Sequence, residues 1–371
     1  MEFTIRKQDL VRELSLSQGV VEKRSTIPVL SNVLLEARGA QVHLTATDLE
    51  LGIRSACPAQ VVREGAGTLP ARRLLDYVRL LPDVEIHFRF QENQWAAIQC
   101  GRSRTKIAGM SRESFPELPE MPARLAEVPI GLLTGMISRT IFAISTEESR
   151  FTLSGALLVL KPSGAVMVAT DGHRLAFVEA KAEIAAPATP ARCLLPKKAM
   201  TELLRLGQEA SPEQTVQFAT DDNHLFFQIG NRMLISRKLS GSFPDYERVL
   251  PREANYVVVL ERDEVRAAIE RVSQFADERS HAMRVQLIPG EVRLYSAASD
   301  TGESEESLPA DYQGENFEIG FNAGYILDFL RATSERQVQF NFRDPHSAAE
   351  LRPVADGGAW QYRYVLMPMR I

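Results

Sequence analysis

The chain has 371 residues, of which 44% are hydrophobic and 25% charged, and its formal net charge is −5. This length exceeds what one hydrophobic core usually supports, so two or three globular domains are expected. Nowhere do about eighteen apolar residues follow one another and no secretion signal follows Met1, so we expect a cytoplasmic protein that does not span a membrane.

The first third of the chain predicts two helices among several short strands. Apolar residues recur at helical spacing within 7–24, and a second helix begins at Pro70, because proline suits the first helical turn, and stops at Pro82. Strands are expected at 3–6, 29–36, 41–46, 51–54, 85–90 and 95–100.

The same order of elements then recurs with a nearly constant step. Pro70, Pro196 and Asn322 open equivalent helical segments and are separated by 126 and 126 positions. A fixed period marks a repeated unit, and a period this long indicates whole domains. Later helices are expected at 132–145, 197–205, 262–271 and 325–331.

These elements predict an α+β fold of three repeated domains, each with two helices packed on antiparallel sheets. The expected domains are 1–122, 123–251 and 252–371. Proline-rich segments at 115–122 and 243–251 are expected to be stiff, extended linkers.

No catalytic or cofactor-binding motif is evident. Cys57, Cys100 and Cys193 have spacings that fit neither a disulfide framework nor a zinc site, and we expect free thiols. His173 lies close to Asp171, but no nucleophile or metal-ligand spacing accompanies the pair, and the phosphate-binding loop of ATPases is absent. We therefore expect a protein that is not an enzyme and needs no cofactor.

Charge is distributed unevenly between the predicted helices and the rest of the chain. When Lys and Arg are counted against Asp and Glu, the six predicted helical segments together carry a charge of +6, which leaves −11 for all other residues. Basic helices on an acidic chain could present one positive surface to nucleic acid, although solvated helix faces of ordinary charge are the alternative.

Geometry favours two copies of the chain over one. Twelve helices spaced about 10 Å apart would form a circle about 38 Å across and leave roughly 28 Å free, enough for B-DNA of about 20 Å. Six helices would leave only about 9 Å. A head-to-tail pair of chains could therefore close a ring in which the three repeats of each chain together supply the twelve helices.

Three stretches of the chain resemble the bacterial sliding clamp family, the beta subunit of DNA polymerase III. They are residues 169–176 (Ala-Thr-Asp-Gly-His-Arg-Leu-Ala), 242–251 (Ser-Phe-Pro-Asp-Tyr-Glu-Arg-Val-Leu-Pro) and 364–371 (Tyr-Val-Leu-Met-Pro-Met-Arg-Ile). The resemblance runs over the whole chain and implies a homodimeric ring of six domains that encircles double-stranded DNA. It also implies tethering of the DNA polymerase III catalytic subunit, the clamp loader, other polymerases and repair proteins through short peptide motifs.

The resemblance further implies a partner-peptide cleft between the second and third domains. Carried over by position, it comprises Leu153, Thr170, Gly172, His173, Arg174, Leu175, Pro244, Arg248, Val249, Val365, Met367, Pro368, Met369 and Arg370. Methionines and prolines make an adaptable apolar trough, and we expect Arg174 and Arg248 at its rim. From the residues alone, Met367 to Met369 could instead end a core strand, and Asp171-Gly172 predicts only a hairpin turn.

Basic residues near the helix ends are the candidate DNA contacts. The resemblance implies that seven basic residues lie toward the central hole of the ring. They are Arg24, Arg72, Arg73, Lys197, Lys198, Arg279 and Arg284. Such contacts would give weak, salt-sensitive binding without sequence preference. The alternative function is a three-domain scaffold that binds peptides without encircling DNA.

Overall fold

A computed structural model of the chain describes residues 1–21, 26–147, 149–299, 302–354 and 360–370. Within these ranges six segments form α-helices, as the sequence predicted. They are α1 (Lys7–Ser17), α2 (Ala71–Leu80), α3 (Ile130–Thr140), α4 (Lys197–Gln208), α5 (Arg262–Val272) and α6 (Ala323–Ala332).

The start of each repeat's second helix is fixed locally. Pro70 directly precedes α2 and Pro196 directly precedes α4, where a missing amide hydrogen costs nothing. At α6 the Asn322 side chain accepts a hydrogen bond from the amide of Tyr325 at 3.3 Å and caps the helix instead. The first helix is shorter than expected, since α1 ends at Ser17 and turns follow it.

Twenty-five strands are formed by the described residues. In chain order they are β1 (Glu2–Arg6), β2 (Asn32–Arg38), β3 (Gln41–Thr47), β4 (Leu51–Pro58), β5 (Gln60–Arg63), β6 (Gly65–Pro70), β7 (Glu85–Phe90), β8 (Trp95–Cys100), β9 (Ser103–Ala108), β10 (Ala126–Pro129), β11 (Gly155–Lys161), β12 (Gly164–Thr170), β13 (Arg174–Lys181), β14 (Ala191–Pro196), β15 (Thr215–Thr220), β16 (His224–Ile229), β17 (Arg232–Arg237), β18 (Tyr256–Glu261), β19 (Ala282–Ile288), β20 (Glu291–Ala298), β21 (Gly302–Pro309), β22 (Phe317–Asn322), β23 (Gln337–Phe342), β24 (Ala349–Val354) and β25 (Trp360–Leu366).

One compact unit consists of residues 1–131 and 198–238. Its sheet 1 has five strands in the order β5-β1-β7-β8-β9, and its sheet 2 has eight in the order β10-β15-β16-β17-β4-β3-β2-β6. The buried rings of Phe3 and Phe88 stack at 4.9 Å in the core beneath sheet 1. Sheet 2 joins strands of the first two predicted domains through the antiparallel pair β4 and β17, where Ile53 lies opposite Leu234.

The other compact unit consists of residues 132–197 and 239–371. Its sheet 3 has the order β14-β11-β12-β13-β25-β24-β23-β18, and its sheet 4 has the order β21-β20-β19-β22. Sheet 3 joins strands of the second and third predicted domains through β13 and β25, where Leu175 lies opposite Val365. The second predicted domain therefore contributes strands to both units.

The proline-rich segments are more closely packed than free linkers would be. The ring of Tyr246 is buried against Phe177 at a centroid distance of 5.9 Å, and residues Tyr246–Arg248 form one turn of 3-10 helix rather than an extended chain. In the earlier segment Arg54 donates a hydrogen bond to the carbonyl oxygen of Leu118 at 2.7 Å. The expectation of extended linkers was wrong at Tyr246–Arg248, because burial of the tyrosine ring favours the turn.

Candidate partner site and basic surfaces

The turn between β12 and β13 is fixed by side chain to backbone hydrogen bonds. The Asp171 carboxylate accepts from the amides of His173 at 2.9 Å and Arg174 at 3.0 Å. Gly172 has a φ of +91°, a conformation that glycine adopts without strain. The predicted hairpin turn is confirmed, and it holds the His173 carbonyl at the end of the strand pair.

Arg174 lies inside this unit and not at a rim, so that part of the expectation was wrong. Its side chain is only 10% exposed, and it contacts the carboxylates of Asp171 at 3.0 Å and Asp328 at 2.6 Å. Its guanidinium also donates to the carbonyl oxygen of Phe142 at 2.7 Å and lies over the ring of Tyr325 at 4.2 Å. The guanidinium donates hydrogen bonds from its edges and stacks with its planar face, a combination that only arginine provides.

The charge of Arg174 is maintained by these neighbours. Burial by itself would lower the pKa of Arg174, but the hydroxyl of Tyr364 and the carboxylates of Asp328 and Asp171 raise it above its ordinary value. Burial conversely raises the pKa of the Tyr364 hydroxyl, which therefore stays neutral. The arginine thus acts as a fixed cation that ties β13 to α6.

One face of sheet 3 carries a continuous apolar cluster. Its buried members are Leu157, Val159, Val166, Val168, Leu175, Phe177, Leu194, Tyr246 and Val365. The side chains of Phe243 and Leu250 pack against this cluster while remaining partly exposed. Leu175 and Val365, two of the predicted cleft residues, therefore belong to the floor beneath the surface.

The C-terminal segment leaves the sheet and follows the surface. Strand β25 ends at Leu366, the amide of Met367 donates to the carbonyl oxygen of His173 at 2.9 Å, and the amide of Met369 donates to that of Gly320 at 2.8 Å. Met367 is 48% exposed. This geometry favours a surface trough over the alternative in which Met367 to Met369 end a core strand.

A pocket of about 670 Å³ opens beside Met367. It is lined by Arg248, Val249, Leu250, Pro251, Arg252, Glu253, Arg343, His346, Ser347, Ala348 and Met367. Three of the predicted residues, Arg248, Val249 and Met367, meet here. No sequence signal pointed to Arg343, His346 and Ser347, which reach the pocket only because the turn between β23 and β24 folds beside the C-terminal segment.

The remaining predicted cleft residues lie in the same unit. Thr170 is buried and donates to the carbonyl oxygen of Arg174 at 2.6 Å, while Leu153 is half-buried at the end of a 3-10 turn. Pro244 and Arg370 are exposed, and Pro368 is half-buried. Arg248 has a side chain that is 85% exposed and pairs with Asp245 at 2.8 Å.

A basic groove of about 1050 Å³ lies along the helices of the first unit. Arg72 and Arg73 are exposed in the first turn of α2 and line it together with Arg79 and Arg205. The guanidinium of Arg79 donates to the hydroxyl of Ser15 at 3.2 Å, and that of Arg205 donates to the Ser15 carbonyl oxygen at 2.9 Å. Side chains from α1, α2 and α4 therefore form one positive surface, with Asp76 as the carboxylate within it.

The other candidate DNA contacts are placed differently. Lys198 forms an ion pair with the carboxylate of Asp48, whose side chain is 3% exposed, and Lys197 is half-buried at the start of α4. Arg284 lies in β19 rather than beside a helix, and pairs with Glu318 at 3.3 Å. Arg279 is exposed in the turn before β19, and Arg24 lies outside the described residues.

Two outermost strands carry opposite charge, a feature that the sequence did not predict. Arg104 and Lys106 are exposed on β9, the last strand of sheet 1. Glu303 and Glu305 lie on β21, the last strand of sheet 4. The two residues of each pair are two positions apart on their strand, so their side chains lie on the same face of the sheet.

Neither a metal centre nor a membrane helix is found in the parts of the chain that the structure describes. Among those residues, no three His, Cys, Asp or Glu side chains are grouped so as to hold a metal ion. No helix formed by them is long and apolar enough to cross a membrane. Cys57, Cys100 and Cys193 are not joined by disulfide bonds; the first two are buried and the third is half-buried.

A threefold repeat of two helices on antiparallel sheets, with an apolar trough at the C terminus, defines the clamp class of fold. Family profiles described as the N-terminal, central and C-terminal domains of the DNA polymerase III beta subunit match residues 1–119, 127–245 and 247–370. The chain belongs to the DNA polymerase III beta subunit family.

Individual relatives agree with this assignment over their full lengths. The chain is 37% identical to the beta sliding clamp of Pseudomonas aeruginosa over 374 residues, and 36% identical to that of Caulobacter vibrioides over 379 residues, covering 100% of both chains in each case. The crystal structure of the DNA polymerase III subunit beta from Pseudomonas aeruginosa superposes with a TM-score of 0.94 at 35% identity, covering 100% of each chain. The sliding clamp structure from Bacillus subtilis gives 0.93 at 26% identity, with 100% of this chain and 99% of that chain covered.

Proposed function

We propose that this protein is a DNA sliding clamp, a homodimeric ring that encircles double-stranded DNA and holds polymerases and repair proteins on it. Full-length similarity to beta sliding clamps of several bacteria is the observation that carries the proposal. The clamp acts by topology and tethering and catalyses no reaction itself. The three domains are proposed to extend over 1–122, 123–251 and 252–371, close to the matched family profiles.

Ring closure is proposed to occur between β9 of one copy and β21 of the other. Both strands are outermost in their sheets among the described strands, so each has backbone donors and acceptors to offer. Arg104 and Lys106 on the one and Glu303 and Glu305 on the other make them complementary. A head-to-tail contact of this kind closes into a ring when used twice.

The basic groove on α1, α2 and α4 is proposed to face the DNA. Arg72 and Arg73 are exposed at a helix N-terminus, where main-chain amides add to the attraction for phosphate. Contacts of this type bind phosphates without reading bases and weaken as salt increases. Lys197, Arg279 and Arg24 remain candidates, whereas the ion pairs of Lys198 and Arg284 make these two weaker ones.

The pocket beside Met367 and the surface around it are proposed to take short peptide motifs of client proteins. Exposed Met367 and Val249 offer apolar contact, and methionine adapts to different partners. Arg248 at the rim can pair with a polar or acidic group of the peptide. Arg174 is proposed to support this surface by fixing the turn that carries His173, rather than by touching the peptide.

The molecular mass in solution tests the ring. Near the concentration at which it works, the chain of 41.4 kDa should sediment at about twice that mass. A peptide-binding scaffold without DNA encirclement would instead tolerate a monomer. Full-length similarity to sliding clamps does not favour that alternative. Single copies at all concentrations, with or without primed DNA, would refute the ring.

A further inference from the structure

The outward face of sheet 1 contains a trough with cations on both sides. Its volume is about 430 Å³, and it is lined by Glu2, His87, Arg89, Ala97, Ile98, Gln99, Arg104, Thr105 and Lys106. In the strand register, Arg89 lies opposite Ala97, which lies opposite Lys106. The small alanine on the middle strand therefore forms a floor between two cationic walls.

A second row of side chains repeats this arrangement one step along the strands. His87 lies opposite Gln99, and Gln99 lies opposite Arg104. Residues two apart on a strand share a face, so these side chains stand on the same surface as Arg89 and Lys106. Donors from three strands thus surround one open space.

Carboxylates compensate little of this charge. Among the described residues, none of Arg89, Arg104 and Lys106 has a carboxylate within ion-pair distance. Arg63 on β5, the strand next to β1, does approach a carboxylate, that of Glu2, to 4.0 Å. Glu2 is the one acidic residue in the lining, and its carboxylate lies 3.1 Å from the ring of His87. Three cations against one carboxylate that already has partners leave the trough electropositive.

We propose that this trough binds a linear di- or triphosphate group, either free or carried on a nucleotide. The walls stand two strand spacings apart, about 10 Å, so a single carboxylate could reach only one of them. Contiguous phosphates bridge such a gap and present oxygens to both walls, and arginine and lysine are the side chains that bind them best.

Occupancy of the trough should also weaken the ring, a consequence that rests on the proposed function. Arg104 and Lys106 are the proposed partner contacts on β9, so a phosphate chain and the glutamates of the second copy compete for the same two cations. Binding and dissociation are then linked, and each favours the other by the same factor. A cellular polyphosphate or nucleotide could in this way favour ring opening.

The test uses the full-length protein and inorganic tripolyphosphate, with a nucleoside triphosphate as a second arm. Calorimetric titration of the wild type should show saturable binding. Arg89→Ala, which removes one wall outside the proposed interface, and Ala97→Glu, which places a carboxylate on the floor, should each weaken binding about tenfold or more. Arg63→Ala, on the same face but outside the trough, should change it less than about threefold. Equal binding in both arms would assign recognition to the phosphates, and tighter nucleotide binding would assign a nucleotide as the ligand.

Dimer dissociation is then measured by sedimentation with and without tripolyphosphate. The ligand should raise the dissociation constant of the wild type, and about tenfold more ligand should be needed to raise that of Arg89→Ala equally. Absence of saturable binding, or equal loss in the Arg63→Ala control, would overturn the site, and binding without any effect on dissociation would overturn the competition. A chain that is monomeric without ligand would contradict the proposed ring instead, and the titration would still decide the site.

Discussion

The guanidinium of Arg174 donates to the carboxylate of Asp328 at 2.6 Å, although 154 positions separate the two residues in the chain. Arg174 belongs to the second predicted domain and Asp328 to the third. The contact lies beside the pairing of β13 with β25. It stabilises the turn in which the carbonyl oxygen of His173 accepts a hydrogen bond from the amide of Met367. An arginine that was expected to touch partners is thus part of the scaffold that shapes the partner surface.

Replacing Arg174 should therefore destabilise the protein. Arg174→Ala leaves Asp171 and Asp328 without their shared cation, and we expect a loss of about 2–3 kcal/mol in the free energy of unfolding, since Asp328 is a third exposed. Urea unfolding followed by fluorescence measures it. Arg248→Ala is the matched control, because its ion pair is mostly exposed and should matter by less than about 0.5 kcal/mol. Equal effects of the two changes would contradict the scaffold role.

Client binding should depend on the exposed methionine next to this turn. Met367→Ala removes apolar contact area from the pocket, and deletion of residues 367–371 removes the segment altogether. We expect about tenfold weaker binding for the substitution and none for the deletion, with the dimer intact in both. Fluorescence anisotropy with a labelled client peptide measures this. Val62→Ala, an exposed apolar residue elsewhere, is the control; unchanged peptide affinity in the deletion would exclude this surface.

The closure proposed between β9 and β21 can be tested without knowing which charges pair. Arg104→Glu with Lys106→Glu should raise the dimer dissociation constant about 10- to 100-fold, because like charges then face each other. Adding Glu303→Lys and Glu305→Lys to the same chain should restore dimerisation. Sedimentation equilibrium measures both variants. Failure of the fourfold variant to recover, with its fold intact by circular dichroism, would place the interface elsewhere.

The basic groove should determine how strongly salt weakens DNA binding. Arg72→Glu with Arg73→Glu should lower affinity for a short duplex and reduce the slope of log K against log salt by about 0.9 for each phosphate that the protein no longer neutralises. Arg336→Gln, which changes an exposed arginine in the other unit without placing a second carboxylate beside Glu261, is the control and should leave the slope unchanged. Lys198 is avoided, since a glutamate there would face the buried Asp48 carboxylate and confuse binding with stability. A slope identical to that of the wild type would remove these arginines from the DNA surface.

The thiols should differ in reactivity. Burial, with a smaller contribution from Glu13, raises the pKa of Cys57 from its ordinary value of 9.0 to about 12. The thiol form is favoured by the fold, so this contribution to stability is present below about pH 9 and is lost as the pH rises toward 12. At pH 8, Ellman's reagent should modify half-buried Cys193 first and Cys57 only after denaturation. Rapid labelling of Cys57 in the native protein, located by peptide mapping, would contradict this.

Local signals in the sequence were sufficient for the helices and for the six strands expected in the first third of the chain, although β2 begins at Asn32, after a turn of 3-10 helix over Pro28–Ser31. Pro70, Pro196 and Asn322 mark helix starts through their own conformational preferences, and β7 and β8 alternate cleanly between buried and more exposed residues. The turn at Asp171-Gly172 was predictable for the same reason. Such features depend on neighbours in the chain, which the sequence displays directly.

Contacts between distant segments could not be predicted in this way. Nothing near Ile53 indicates that it lies opposite Leu234, so the pairing of β4 with β17 was not foreseen. In the sequence, Arg174 is recognisable only as a charged residue after a turn. Its burial depends on α6, which folds against it. Arg343 and His346 line the candidate site through a hairpin whose position is set by sheet 3 as a whole.

Retention on circular DNA tests the central claim most directly. The clamp is loaded onto a nicked circular plasmid, passed through a gel filtration column at high salt, and compared before and after a restriction enzyme makes the plasmid linear. A ring held by topology should stay with the circle and be lost from the linear molecule. Equal retention on both, or none on either despite loading, would contradict the proposal that two copies of this chain encircle DNA.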